Sequence, residues 1–556
     1  MRRRHVAAGM MAAVVAATTV LGGCSGKKAD TGSTAAGEKQ TAGTEQAAGT
    51  EAAGDADKSS WISEEPVEIT VMMKDNPSQP LKVDAPMREE IFKKTNIKLN
   101  VQIVPNSSYE EKKNIVLGTN NFPDIIFIPN MADVVTYGNS GVFEPLTQYL
   151  NEEDMPNLYK FWQEYPEMKK YLLGDELYVF PVVAREETAN GFGPVIRQDL
   201  LEANNLETPK TFDELLDVLI KFKELYPDSI PWTGRKGTPN LFKTTSYMLG
   251  SGYGDNGLYY DFDEEKFVFG PASTNFKAVL DYLNRAYEAG VLDPEFATTT
   301  AEQMESKLSS GKSLFYLDNS GFGQNYTKML RKVEGQENAT FQVLPIPENS
   351  FGQRRATAYA TELPGRFYAL NAGSKHKEEI IKLMDWLYSK EGSDITNYGV
   401  EGVSFEYDEK GEPQFKEDYV MKFKDAQPSD YYAIYTDLGI TKLDFCMWAC
   451  NTKTWFEIQQ MDGNWDEVAD EYWKIIEEDD AYVQPHIFPT LSEEESEKVK
   501  DILVDVNTML EQEYNKYIMG QEEIDNWDNV IKRCEDMGIR ELEDIYNQAE
   551  ARVNAQ

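Results

Sequence analysis

Positive charge is scarce in this chain of 556 residues: 55 Lys and Arg face 95 Asp and Glu, a formal net charge of -40. Nucleic-acid binding needs basic stripes that displace counterions, and none is present. Docking on anionic lipid through a polybasic face is excluded on the same ground. Histidine is also rare, three in all with His5 close to the N-terminus, which leaves too few for a His-rich zinc site. Four cysteines, Cys24, Cys446, Cys450 and Cys534, are too few for a disulfide framework. No phosphate-binding Gly-rich loop, no G-x-S-x-G nucleophile elbow, no internal repeat and no apolar run of membrane-spanning length occurs after the N-terminus. What remains is a globular composition, 41% hydrophobic and 12% aromatic, long enough for two or three packed units.

The N-terminus carries an address. Arg2, Arg3 and Arg4 precede the apolar stretch Val6–Leu21, too short for a comfortable membrane span and patterned as a signal-peptide core. It ends in Leu21-Gly22-Gly23-Cys24, which resembles a bacterial lipobox. The small residues suit a peptidase pocket, and the Cys24 thiolate accepts a diacylglycerol. Residues 1–23 are therefore predicted as a lipoprotein signal peptide and 24–60 as a lipidated cysteine with a linker. Ser25–Ser60 is rich in Gly, Ala, Thr, Glu and Lys, without an aromatic, and cannot bury enough surface to fold. As a flexible tether it spans about 30–36 Å root-mean-square. The expected location is the outer face of the cell membrane.

The folded part is predicted to begin at Trp61. Val67, Ile69 and Val71 alternate as in a strand, Met87–Thr95 reads as a helix behind Pro86, and Leu99, Val101 and Ile103 alternate again. Tyr109–Leu117 reads as a helix, and Asp124–Ile128 as a buried parallel strand. This β-α-β-α-β order predicts an α/β fold with a parallel sheet. Thr211-Phe212-Asp213-Glu214 and Ser492-Glu493-Glu494-Glu495 fit helix capping boxes, the second opening a helix to about Ile518. Lys375–Leu387 is a further amphipathic helix.

Several phrases occur in a telling order: Asn121-Phe122-Pro123-Asp124-Ile125, Gly141-Val142-Phe143-Glu144-Pro145-Leu146, Leu177-Tyr178-Val179-Phe180-Pro181, Ile196-Arg197-Gln198-Asp199-Leu200-Leu201, Pro209-Lys210-Thr211-Phe212-Asp213-Glu214, Asp385-Trp386-Leu387-Tyr388-Ser389 and Glu391-Gly392. Together they resemble the family 1 extracellular solute-binding proteins of ABC importers, the large carbohydrate-type lipoproteins above all. The resemblance spans most of residues 61–556. It implies a two-lobed, type II periplasmic-binding fold, each lobe a sheet flanked by helices, with chain crossings near Tyr178–Ala184, Leu363–Arg366 and Gln484–Pro489. The N-terminal lobe is then 61–182 plus 366–484, and the C-terminal lobe 183–365 plus 485–556. It further implies a monomer without cofactor or catalysis, working with permease subunits and closing on a sugar or oligosaccharide by hinge motion.

Open α/β sheets bind ligands at the carboxyl ends of their strands, and a sugar calls for flat aromatic faces with a few planar polar groups. The chain has 9 Trp and 30 Tyr to draw on. Candidates are Trp232 in a loop-like setting after a helix, Trp448, Tyr359 and Tyr398, with Asp75 and Asn76 after the first strand, Asn130 after the third, and Glu401 with Arg355. Each has a bland reading, since a Trp in a large protein is more often core than platform. Arg197 and Asp199 are expected to make structural contacts at a helix start, and Trp386 to be core. Cys446-x-x-x-Cys450 reads as packing in preference to a redox pair or metal half-site. Asp261-Phe262-Asp263-Glu264-Glu265 reads as a surface turn, because it lacks the Gly and spaced acid of a calcium loop. Two alternatives stay open: an extracellular glycoside hydrolase, which needs two carboxylates roughly 5–9.5 Å apart, and a glycan-adhesion lipoprotein.

Overall fold

The alternating runs at the start of the folded part pair as their pattern requires. A computed structural model of the protein describes residues 61–555 apart from 78, 186–190, 359–360, 427–428, 440–444, 462–464 and 466. The leader, Cys24, the tether and Tyr359 lie outside the described residues. The strand Val67–Asp75 lies parallel to Ile97–Pro105 on one side and to Ile125–Ile128 on the other. Phe367–Leu370 then joins antiparallel to Ile125–Ile128, and Phe180–Pro181 closes the five-stranded sheet. All four residues of Ile125–Ile128 are buried, because the strand is central and both its faces are covered. The intervening helices are Pro86–Thr95 and Tyr109–Gly118. Pro86 occupies the first turn, where its missing N–H costs nothing, and Asn96 ends the helix with φ 58°.

A second sheet is built from Phe341–Val343, Phe192–Arg197 and Phe315–Asn319, all antiparallel. Its side chains alternate between two apolar layers. Ile196, Phe315 and Leu317 enter one core with the helices Phe212–Leu225, Phe276–Glu288 and Glu493–Ile518. Val195, Tyr316, Phe341 and Val343 face the other way, onto Met304, Leu308, Tyr326, Tyr472, Trp473 and Ile476. The sheet around Val67–Asp75 has its own core, which runs from Ile69 to Val183 and from Leu363 to Ile458. The first sheet with its core makes one lobe of the α/β architecture, and the second sheet with its two apolar layers the other.

The crossings follow from which core each segment feeds. Val183–Ala184 pairs parallel with Trp448–Ala449, and Ala356–Thr357 with Tyr482–Val483. Tyr472, Trp473 and Ile476 of the helix Glu467–Glu478 pack against the second sheet, and Trp455 and Phe456 of the helix Asn451–Met461 pack on the same cluster. The large aromatic residues of the later helix fix its side, and helical periodicity alone does not tell which sheet they meet.

Capping is partly as read. Ser492 accepts from the Glu495 backbone N–H while the Glu495 carboxylate accepts from the Ser492 N–H, and the helix runs to Ile518. Thr211 accepts from the Glu214 N–H, but the Glu214 carboxylate accepts from the Lys210 N–H instead of closing the box. Thr300 and Gln303 form a further complete box at the start of the helix Ala301–Ser309. No helix among the described residues is long and apolar enough to cross a membrane.

Candidate functional site

A cleft of about 650 Å³ opens between the two cores. That volume lies within the range of small-molecule sites. The first lobe contributes Asn130, Met131, Ala132 and Val135 at the start of the helix Met131–Tyr137, together with Tyr171 and the segment Leu363–Gly365. The second contributes Lys243 in the last turn of the helix Gly237–Thr245 and Tyr247 just after it, the hairpin of Leu258–Asp261 and Lys266–Phe269, and Tyr546 of the helix Ile539–Asn554. The segment Pro485–Leu491 runs along the boundary and lines it too.

The lining is dominated by aromatic rings. Phe192, Tyr247, Tyr260, Phe262 and Tyr546 are half-buried and Phe488 is exposed, so each keeps surface available to a ligand. Their neighbours hold them in place. Tyr260 stacks flat on His486, with ring centroids 3.6 Å apart and planes 12° from parallel. Phe262 meets Tyr260 edge-on at 5.2 Å, and Phe488 meets Tyr546 at 5.6 Å. Edge-to-face and offset contacts of this kind stabilise by about 0.5–1.5 kcal/mol beyond burial and restrict ring rotation. Asp261 builds the hairpin turn below them, one carboxylate oxygen accepting from the backbone N–H of Asp263 and of Glu264. The floor needs glycine at position 252: a Cβ there would stand 2.3 Å from the Tyr259 ring. Burial pushes the Tyr247 hydroxyl up to about 12 against the pull of the Arg355 guanidinium, and burial pushes Tyr546 up to about 12. Both are neutral hydrogen-bonding groups at physiological pH.

Charge beside the cleft is paired. Lys243 forms an ion pair with Asp255. Lys170, in the first lobe, reaches Glu550 of the second at 2.9 Å, and both touch Nε2 of His486, at 2.8 and 3.0 Å. Burial raises the Glu550 pKa, but the hydrogen bonds and charges of His486 and Lys170 outweigh it and hold the carboxyl below its usual range. Thr490 adds a second tie, its N–H and its hydroxyl both donating to the Lys170 carbonyl at 3.0 and 2.7 Å.

The residues singled out from sequence fall in several places. Asn130 lines the cleft, and its side chain also caps the helix Met131–Tyr137 by accepting from the Ala132 N–H at 3.0 Å. Arg355 lies buried behind the lining, its guanidinium 4.0 Å from the Tyr247 ring centroid and donating to the carbonyls of Tyr247 and Ser251. It orders the ring and does not face the cleft directly. Trp232 is 1% exposed and packs edge-on against Phe315, so the loop-like setting conceals a core position. Its backbone bridges Leu292 and Phe315, which pulls the ring inward. Trp448 packs on Phe161 in the first core, and its carbonyl accepts from Ser393 and Asn397. Tyr398 is 1% exposed, with its hydroxyl donating to Glu457 at 3.2 Å. Glu401 is exposed beside a tight turn to Phe405, among residues that do not line the cleft. Asp75 accepts from the Leu81 N–H and Asn76 bridges to Gln79, forming a turn after the first strand outside the lining set.

Other readings resolve locally. Arg197 clamps Asp199 through two hydrogen bonds of 2.8 and 2.6 Å at the helix start. Trp386 packs partly buried on the first core. Cys446 and Cys450 flank the strand Trp448–Ala449 and do not share a helix face; burial pushes their thiols up to about 12 and about 11. No cluster of three or more potential metal-ligating side chains occurs among the described residues. The tyrosines and phenylalanines of the hairpin and of Pro485–Leu491 are not among the sequence candidates, whose aromatics are Trp232, Trp448, Tyr359 and Tyr398. Tyr259-Tyr260-x-Phe262 beside an acidic turn was the available signal.

Over 477 residues the chain is 24% identical to a polygalacturonan/rhamnogalacturonan-binding protein of Bacillus subtilis (strain 168), covering 83% of this chain and 88% of that one. It is 25% identical over 485 residues to a fructooligosaccharide ABC transporter substrate-binding protein of Streptococcus pneumoniae serotype 4, covering 81% and 84%. Among solved structures, an HMO-binding, ABC-transporter-associated solute-binding protein of Bifidobacterium longum infantis superposes with a TM-score of 0.69 at 18% identity, covering 88% of this chain and 99% of that one. The fold is thus the two-lobed, type II periplasmic-binding architecture. The model of the bacterial extracellular solute-binding protein family matches residues 76–394, more than half of the sequence, and the chain belongs to that family.

Proposed function

We propose that this chain captures a sugar or short oligosaccharide outside the cell and hands it to the permease subunits of an ABC importer. The observation that carries the reading is the interlobe cleft of about 650 Å³, whose accessible aromatic faces come from the second lobe and the segment Pro485–Leu491 and stand opposite Asn130, Met131 and Leu363–Gly365 of the first. Aromatic faces suit the apolar C–H face of a sugar ring, and Asn130, Thr357, Thr361, Ser496 and the tyrosine hydroxyls supply uncharged partners for its rim. A ligand that contacts both lobes favours the closed form by its differential affinity, which is what a permease can sense. The names of the relatives, which bind pectic and fructose-based saccharides, support the carbohydrate class.

Delivery at the membrane belongs to the same proposal. Cleavage before Cys24 and acylation of its thiol anchor the protein, and the polar tether holds a monomeric, cofactor-free body off the bilayer. The glycoside hydrolase alternative needs two facing carboxylates; among the described lining residues Asp255 is the carboxylate present, and Lys243 occupies it.

Isothermal titration with a panel of mono- and oligosaccharides tests the capture step, and small-angle scattering with and without the best binder tests closure. Saturable binding with a decrease in radius of gyration is expected. Binding only of peptides or metal ions, or release of shortened glycans, refutes it.

A further inference from the structure

We propose that the cleft selects uncharged oligosaccharides and rejects those bearing carboxylates. This rests on the carbohydrate reading and narrows it to one chemical class. Among the described lining residues, Lys243, Asp255 and His486 are the ones carrying an acidic or basic side chain of the Asp, Glu, Lys, Arg or His type. Lys243 is ion-paired to Asp255. His486 faces Glu550, and the lysine beside it, Lys170, is bound to the same carboxylate. Behind the wall, Arg355 stands between Asp263 at 3.3 Å and Asp261 at 4.0 Å, screened from the cleft by the Tyr247 ring. Every one of these positive charges therefore already has a carboxylate partner.

A uronate entering such a cleft loses hydration at its carboxylate and meets neutral hydroxyl and amide groups in exchange. Recognition of a carboxylate in a buried site is ordinarily the work of a guanidinium fork or an available ammonium. Burying it without one costs about 3 kcal/mol, roughly a hundredfold in affinity. The net charge of -40 adds long-range repulsion of anions, screened beyond about 8 Å at physiological ionic strength. Neutral hydroxyls meet neither penalty. This separates the chain from its pectin-binding relative in charge preference while keeping the shared fold.

The test is titration calorimetry of the mature protein with matched pentasaccharides: maltopentaose, xylopentaose and a fructooligosaccharide on one side, pentagalacturonate and its fully methyl-esterified form on the other. At least one neutral compound is expected to bind with a Kd that stays flat between about 20 and 500 mM salt. Pentagalacturonate is expected to bind at least about a hundredfold more weakly than that compound. A uronate that binds as tightly as the best neutral pentasaccharide overturns the proposal and leaves the carbohydrate reading standing. Failure of every saccharide removes the carbohydrate reading itself. A second arm uses Asp255→Asn, which frees Lys243 at an exposed position. The ratio of uronate to neutral affinity should rise about tenfold at low salt and fall back as salt is added. An unchanged ratio contradicts the pairing argument.

Discussion

Replacing Lys170 with Met removes the ammonium that ties the lobes together and keeps a side chain of similar reach. In the native protein the Lys170 side chain is 5% exposed and that of Glu550 12%, at 2.9 Å. Loss of one partner from a buried pair leaves an uncompensated charge and costs about 3–5 kcal/mol. His486 still faces the carboxylate at 3.0 Å, which favours the lower end, about 3 kcal/mol. For lobes of this size each kcal/mol moves Tm by about 2–4 °C, so a fall of roughly 6–12 °C is expected by scanning calorimetry at pH 7. The pH dependence gives an independent check. The Glu550 pKa is depressed in the folded protein, so its stabilisation is present above the ordinary carboxylate range and is lost as pH falls through the depressed value. The gap between native and Lys170→Met proteins should therefore narrow on acidification to about pH 3. Lys170→Met/Glu550→Gln should destabilise less than the sum of the single changes by about 0.5–3 kcal/mol. A Tm within 1 °C of native for Lys170→Met, taking about 1 °C as the resolution of the scan, refutes the interlobe tie.

Trp232→Phe should lower stability by about 1–3 kcal/mol in urea melts while leaving the affinity for the best saccharide within twofold or so, because the ring lies in the core. Tyr260→Ala should do the reverse in emphasis, weakening saccharide binding by about 1.5–3 kcal/mol, roughly 10- to 100-fold by titration calorimetry. With their thiols pushed up to about 12 and about 11, Cys446 and Cys450 should resist a thiol reagent at pH 8 in the native protein and react fully once it is unfolded.

Local pattern carried much of the first lobe. The alternation of Val67, Ile69 and Val71 and the apolar run Ile125–Ile128 became neighbouring parallel strands, since each pattern demands one or two covered faces. The Ser492–Glu495 box likewise marked a helix start by side-chain chemistry contained within four residues. The site was less legible because it is assembled from distant pieces. Tyr260 and His486 are separated by more than two hundred positions, yet their rings stack at 3.6 Å. Trp232 misled because a loop flanked by Pro231 and Gly234 looks exposed in sequence, whereas its backbone bridges to Leu292 and Phe315 seat it inside. The place of Asn130 in the cleft lining is legible because the end of a parallel strand is a topological property visible in the order of elements. Which sheet Tyr472, Trp473 and Ile476 meet is not legible in sequence, because an amphipathic helix announces a buried stripe without announcing the partner sheet.

A crystal structure of the mature protein with a neutral oligosaccharide tests the central claim most directly. The account expects sugar rings lying against Tyr260, Phe262 and Phe488, with hydroxyls reaching Asn130 across the lobe boundary. A saccharide seated on a single lobe, or outside the crevice lined by these rings, contradicts it.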